Sequence, residues 1–201
     1  SSVDRRLVLL ARALASRPAL LLLDETLTHL DAQNEQRLRR WFAATPRSGP
    51  AWVLSTHRAD HLPESATHAL VLRGGRVLAA GDRRQAVVQE ALAKVLGPPA
   101  RLRTLRSAPA AARGRARCTL LAVANGELWL EGRLILRDID LRLRTGECWV
   151  LAGFNGSGKT TLLRALYGDF PFALGSQVTR TGVRPGEALQ NFRLRCAFVA
   201  P

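Results

Sequence analysis

The sequence has no methionine, a single tyrosine and two lysines, Lys94 and Lys159. It contains no run of about 18 apolar residues, so no membrane-spanning helix is expected. Its first residues lack the charged, apolar and small-residue layout of a signal peptide, and residue 1 is Ser rather than Met. The expectation is a piece cut from a longer chain. Cysteine is scarce: Cys118, Cys148 and Cys196 lie far apart and form no CxxC pair. That spacing argues against a metal knot or a disulfide framework, and favours buried apolar thiols in a reducing cytoplasm. Acidic residues are few beside basic ones, 16 against 30, for a formal charge of +14. Nucleic acid or an anionic membrane surface would suit such a chain. However, arginine supplies 28 of the 30 cations and is spread throughout, with alanine, rather than gathered in one stripe. A general composition bias accounts for that as well as a ligand does.

What is present is enough for structure. A chain of 201 residues, 47% hydrophobic, can bury real cores in one large domain or two small ones. Asp4–Ser16 has apolar residues at helical spacing, and Pro18 ends it. Ala19–Leu23 is a short, wholly apolar run of the kind buried in a parallel sheet. Asp31–Ala44 reads as a helix with Asp31 as N-cap, and Trp52–Ser55 as a second buried strand. Thr67–Gly81 reads as two strands around Gly74-Gly75, and Gln85–Leu96 as a helix closed by Gly97 and two prolines. The first 96 residues thus alternate helix and strand, which predicts an α/β domain with a parallel sheet. Gly97–Arg117 has neither period and reads as a Pro/Ala/Arg-rich linker. From Cys118 the pattern becomes β-rich, with turn signals at Asn125-Gly126, Glu131-Gly132 and Thr145-Gly146. It feeds a strand at Cys148–Ala152, then a glycine loop and a helix from about Lys159 to Tyr167. The tail after Gly168 reads as loop-rich, with a last apolar stretch at Ala197–Ala200.

The stretch GFNGSGKTT, Gly153–Thr161, satisfies G-x-x-x-x-G-K-[ST] through Gly153, Gly158, Lys159 and Thr160, with Gly156 between. Glycines let successive backbone N–H groups turn toward phosphate oxygens, and the following helix adds its positive end. Lys159 is placed for the β- and γ-phosphates of ATP, and the Thr160 hydroxyl for Mg²⁺. Asn155, Ser157 and Thr161 complete the stretch as nucleotide-binding candidates. LLLLDE, Leu20–Glu25, ends an apolar strand in two acids. In a P-loop ATPase the Asp holds Mg²⁺ through water and the adjacent Glu handles the attacking water, so Asp24 and Glu25 are the candidates. A helix-capping pair is the plainer reading of two acids at a strand end.

SSVDRRLVLLARALASRPALLLLDETLTHLD, LSTHRAD and ILRDIDLRLRTGECWVLAGFNGSGKTTLLRALYGD together resemble the nucleotide-binding domains of the ABC ATPase family. The resemblance covers nearly everything except the linker. It implies P-loop NTPase pieces with a parallel-sheet core and a β-rich lobe. It places Ser1, Ser2, Val3 and Asp4 on the family's signature, Leu30-Asp31 on its D-loop and His57 on its switch histidine. His29, His61 and His68 carry no assignment. Two departures stand out. Val3 occupies the place of the signature's second glycine, where a β-branched residue hinders close backbone approach. Leu27 replaces the proline expected after Thr26. The aromatic that stacks on adenine belongs upstream of the glycine loop. Trp129 is the nearest candidate, although alignment favours Leu130 and a Trp packed in the lobe serves as well.

The motif order is reversed, with the acidic strand before the glycine loop. Members with two nucleotide-binding domains in one chain offer an answer. Residues 1–96 resemble the second half of a first domain, and 118–201 the first half of a second, ending near the family's Q-loop. The look is that of the tandem ATP-binding proteins of molybdate transport and photorepair, with tandem sugar importers a further option. In this family ATP lies between the glycine loop of one domain and the signature of the other. Asp24, Glu25 and His57 are then expected to serve a different nucleotide from Lys159, leaving no complete site and a fragment without turnover. A second arrangement stays open. The linker could span on the order of 60 Å when extended, so the halves could fold together as one permuted domain with Asp24 beside Lys159. The implied partners are the missing halves of the two domains and membrane permease subunits, with a cytoplasmic location at the inner face of the membrane. A soluble role on ribosomes or nucleic acid is the other function class.

Overall fold

The computed structural model describes residues 2–28, 30–44, 49–97, 118–184 and 188–200. The first segment runs α1 (Ser2–Ala15), β1 (Leu20–Leu23), α2 (Ala32–Ala44), β2 (Ala51–Thr56), β3 (His68–Arg73), β4 (Arg76–Asp82) and α3 (Ala86–Leu96). The second runs β5 (Thr119–Leu130), β6 (Arg133–Arg144), β7 (Cys148–Gly153), α4 (Lys159–Tyr167), β8 (Gln177–Arg180), α5 (Gln190–Arg193) and β9 (Cys196–Val199). Most of the expected linker, from residue 98 to residue 117, lies outside the described residues.

Strands from both segments interleave in one nine-stranded sheet, ordered β8-β5-β6-β4-β3-β7-β2-β1-β9. The five strands β3, β7, β2, β1 and β9 are mutually parallel. The others turn away as a lobe of antiparallel pairs, β3 with β4, β6 with β5 and β5 with β8, joined to the main sheet by the parallel bridge Arg76↔Arg137. β7 therefore sits between β3 and β2, and β9 pairs with β1. The reason is visible in the residues. LLLL, AWVLST and CWVLAG are buried at every position, so each needs cover on both faces and a strand at each edge.

Alternation along these strands builds two cores. Leu20, Leu22, Val53, Leu70, Leu72 and Leu151 face α4 and the β-lobe, meeting Leu162, Leu163 and Leu166. Leu21, Leu23, Trp52, Leu54, Val71 and Val150 face the opposite side, where they meet Leu10 of α1, Leu38 and Phe42 of α2, and Val88 and Leu92 of α3. Asp31 caps α2, its Oδ1 accepting the Asn34 N–H at 2.8 Å.

One sequence reading is corrected here and another is filled in. Asn125-Gly126 is not a hairpin turn: it lies inside β5, where the pairing with β6 shifts register between Val123 and Gly126. A side chain at Gly126 would come within 2.6 Å of Val123 Cγ1 and 3.0 Å of Ile139 Cβ, so this glycine serves a close approach in a bulge. The loop-rich stretch after Gly168 also supplies three short elements that the sequence did not resolve, β8, α5 and β9, the last pairing in register with β1 from Leu20↔Cys196 to Leu23↔Val199.

The thiols follow from this packing. Cys148 in β7 and Cys196 in β9 are buried, and burial pushes each up to about 12. Cys118 is exposed. At pH 8 only about one in 10⁴ of a thiol with such a pKa is thiolate, the reactive form. An aromatic disulfide reagent should therefore modify Cys118 alone in the native chain and all three cysteines in denaturant. Fast reaction of two native thiols would contradict the buried placement of β7 or β9.

Candidate nucleotide site

In a parallel sheet the carboxyl ends of the strands share one edge, and ligands bind there. At this edge β7 delivers the glycine loop, β1 delivers Asp24 and Glu25, and β2, lying between them, delivers Ser55, Thr56 and His57. The loop needs its glycines. Gly158 has φ +99°, and a Cβ there would press within 2.7 Å of Leu136 Cδ2 of the lobe. Gly156 has φ +78° with open space where a Cβ would project, the clearance a bulky anion requires. Lys159 is buried, and its Nζ donates to the carbonyls of Gly153 (3.0 Å) and Phe154 (3.1 Å). The Ser157 hydroxyl is buried with no partner. These donors, with the N-terminal amides of α4, make a cradle that suits phosphate oxygens.

The acidic side closes against this cradle. Asp24 is 3% exposed. Its Oδ2 accepts the Thr160 hydroxyl at 2.8 Å, and its Oδ1 accepts the Ser55 hydroxyl at 2.6 Å. Glu25 has φ +46°, in the left-handed region that a residue with a Cβ rarely adopts. Its backbone N–H donates to Ser55 Oγ at 2.9 Å. Its Oε1 lies 3.0 Å from His57 Nδ1 and 3.4 Å from Lys159 Nζ. Strained backbone held in this way is a common mark of a functional position.

The expected separation of Asp24, Glu25 and His57 from Lys159 is corrected by these distances: in this fold the two sets share one site. The reason lies in the sheet, because β2 and β1 pair beside β7 and bring their ends to the loop. Among the described residues no group of three or more His, Cys, Asp or Glu side chains could hold a metal alone. The donor set instead suits Mg²⁺, a cation that takes one or two protein oxygens and completes its shell with phosphate and water. Thr160 and Asp24 present that pair.

The other candidates are placed as follows. Asn155 and Thr160 are exposed at the loop, Thr161 is half-buried at the start of α4, and Ser157 packs inward. Trp129 is 52% exposed on β5, opposite Leu134, so it is not a packed lobe residue. Leu130 packs partly against the core. Leu30 packs partly against the other core, beside the capping Asp31. Ser1 lies outside the described residues, as do the side chains of Ser2, Val3 and Asp4 in the first turn of α1. Ser55 was missed in the sequence. Its signal was a hydroxyl at the end of an otherwise apolar strand.

Comparison with known proteins agrees with this geometry. The ABC transporter family pattern matches residues 136–199. The ABC transporter ATP-binding protein ModF of Escherichia coli (strain K12) is 31% identical over 208 residues, covering 100% of this chain and 42% of that protein. The chain belongs to the ABC ATP-binding family. An uncharacterized ABC transporter ATP-binding protein of Schizosaccharomyces pombe is 31% identical over 198 residues, covering 97% of this chain and 39% of its own length. The sulfate/thiosulfate import ATP-binding protein CysA 1 of Rhizobium meliloti is 32% identical over 136 residues, 67% of this chain and 35% of that protein. The chain therefore spans about two fifths of the length of the first two of these relatives. No helix among the described residues is long and apolar enough to cross a membrane.

Proposed function

We propose that this chain binds and hydrolyses ATP, to ADP and phosphate, as the junction of a longer tandem ABC protein that powers transport of the molybdate type. Residues 1–96 are the second half of one nucleotide-binding domain and 118–201 the first half of the next. Two similar domains have equivalent halves, so the second half of the first fits the first half of the second. Supporting this, single matches to the first two relatives cover nearly the whole chain, both segments and the linker together. The partners are the missing halves and membrane permease subunits, which would hold the protein at the inner face of the cell membrane.

The observation that carries the reading is the contact of Asp24 Oδ2 with Thr160 Oγ1 at 2.8 Å, with Glu25 3.4 Å from Lys159. Gly153–Thr161 holds the phosphates, with Lys159 leaving its loop carbonyls for the β- and γ-phosphate oxygens. Thr160 and Asp24 would hold Mg²⁺, which neutralises phosphate charge when bound. Glu25, oriented by His57, accepts hydrogen bonds from the attacking water. Trp129 offers an exposed ring to the adenine. The signature that closes over the γ-phosphate comes in this family from a facing domain, so one copy turns ATP over slowly. The deciding experiment is a titration with a fluorescent ATP analogue and Mg²⁺. Lys159→Ala should weaken binding about ten- to hundredfold, the worth of charge-assisted bonds to phosphate. Equal affinity in both proteins would overturn the reading.

A further inference from the structure

We propose that Ser55 is a positioning residue of this site, one hydroxyl that sets both the metal-facing oxygen of Asp24 and the backbone that aims Glu25. The inference rests on the ATP-site reading above. Ser55 lies at the end of β2, 1% exposed, with Leu151 of β7 as its cross-strand neighbour. A hydroxyl buried so deeply must find partners, and it finds both members of the acidic pair. It donates to Asp24 Oδ1 at 2.6 Å and accepts the Glu25 N–H at 2.9 Å.

Each bond has a separate consequence. Because Oδ1 is held by Ser55, Oδ2 is the oxygen turned to Thr160, 2.8 Å away. The carboxylate thereby presents one fixed oxygen to the place where Thr160 offers the second ligand. The Glu25 N–H bond fixes a backbone that would otherwise leave its left-handed conformation, φ +46°. That conformation sends the Glu25 side chain to His57 and Lys159 rather than back over β1. A hydroxyl is suited to this task, since it donates and accepts at a single atom. Alanine does neither. Threonine keeps both functions, and its β-branch suits a strand.

The test compares the full native chain with Ser55→Ala, Ser55→Thr and Lys159→Ala. A fluorescent ATP analogue is titrated with Mg²⁺ and again in EDTA. In Ser55→Ala, affinity in EDTA should stay close to native, because the loop and Lys159 still hold phosphate. The gain in affinity on adding Mg²⁺ should fall about tenfold, the worth of a lost bond to a carboxylate. Ser55→Thr should restore the gain. A merely structural role would weaken binding equally with and without Mg²⁺, and that result would overturn the proposal, as would an undiminished Mg²⁺ gain in Ser55→Ala. Lys159→Ala separates the two levels. Should it bind as well as native in both conditions, the ATP-site reading fails and takes this one with it. Should it lose binding while Ser55→Ala keeps the full Mg²⁺ gain, only the role of Ser55 fails.

Discussion

Glu25→Gln is expected to keep Mg²⁺-dependent ATP binding and to lose turnover by about 10²–10⁴, the usual worth of a positioned general base. The geometry separates these two effects. In the proposed site, phosphate is held by the glycine loop, Lys159 and the start of α4, and metal by Thr160 and Asp24. Glu25 touches neither set except through Lys159, at 3.4 Å. Glutamine keeps the size of the side chain and an amide oxygen to face His57 or Lys159, but it cannot accept a proton from water. Removing the negative charge also frees Lys159 from a neighbour with which phosphate would otherwise compete, so affinity should rise slightly if it changes. Because one copy is expected to turn over slowly, the measurement is a single-turnover assay with the chain in excess over radiolabelled ATP. A rate comparable to native in Glu25→Gln would remove Glu25 from the chemistry and leave the acidic pair with a metal role alone.

The glycine loop was legible because its chemistry fixes both residue types and spacing. Seven consecutive positions from Gly153 to Lys159 have to turn, expose amides and end in a cation, and few other structures ask for that. The helix after it, Lys159–Tyr167, was placed at its observed bounds for the same reason. β1 and β2 were legible as buried strands from unbroken apolar runs. What those runs could not tell was which strands they would meet. Every edge of LLLL accepts a parallel neighbour equally well, so the β1–β9 and β2–β7 pairings are decided by tertiary packing. Asn125-Gly126 misled because the same dipeptide serves a two-residue turn and a bulge, and only Val123 and Ile139 pressing on Gly126 distinguish them. β8 and β9 have four residues each, too few for a period to stand out from loop.

The charge of +14 was the composition's most conspicuous feature, an excess that remains after the 16 acidic residues are set against the 30 basic ones, and several of those acids pair locally with arginine. Arg39 pairs with Glu35, Arg58 with Asp60, Arg84 with Asp82 and Arg193 with Asp169. Two of the partners show it: the Arg58 and Arg84 guanidinium groups bring Asp60 and Asp82 down to about 2. These are exposed pairs, worth little each in stability.

Trp52→Ala should cost about 3–5 kcal/mol of stability, much of the total for a domain of this size. Trp52 is fully buried in β2, with Leu21 of β1 on one side and Cys148 of β7 on the other. Its ring meets Phe42 of α2 edge to face, 4.9 Å between centroids. Truncation therefore opens a void at the strand lying between β1, which ends in the acidic pair, and β7, which leads into the glycine loop. Trp52→Phe should cost much less, because the indole N–H is buried without a hydrogen-bond partner and phenylalanine removes that penalty along with some volume. Urea unfolding of the two variants reads the difference. A loss of stability in Trp52→Ala no larger than in Trp52→Phe would mean that β2 is not packed between β1 and β7. Nucleotide binding supplies the link to function. Ser55 rides on the same strand three residues on and His57 directly follows its end, so Trp52→Ala should lose ATP affinity at urea concentrations where the native chain still binds.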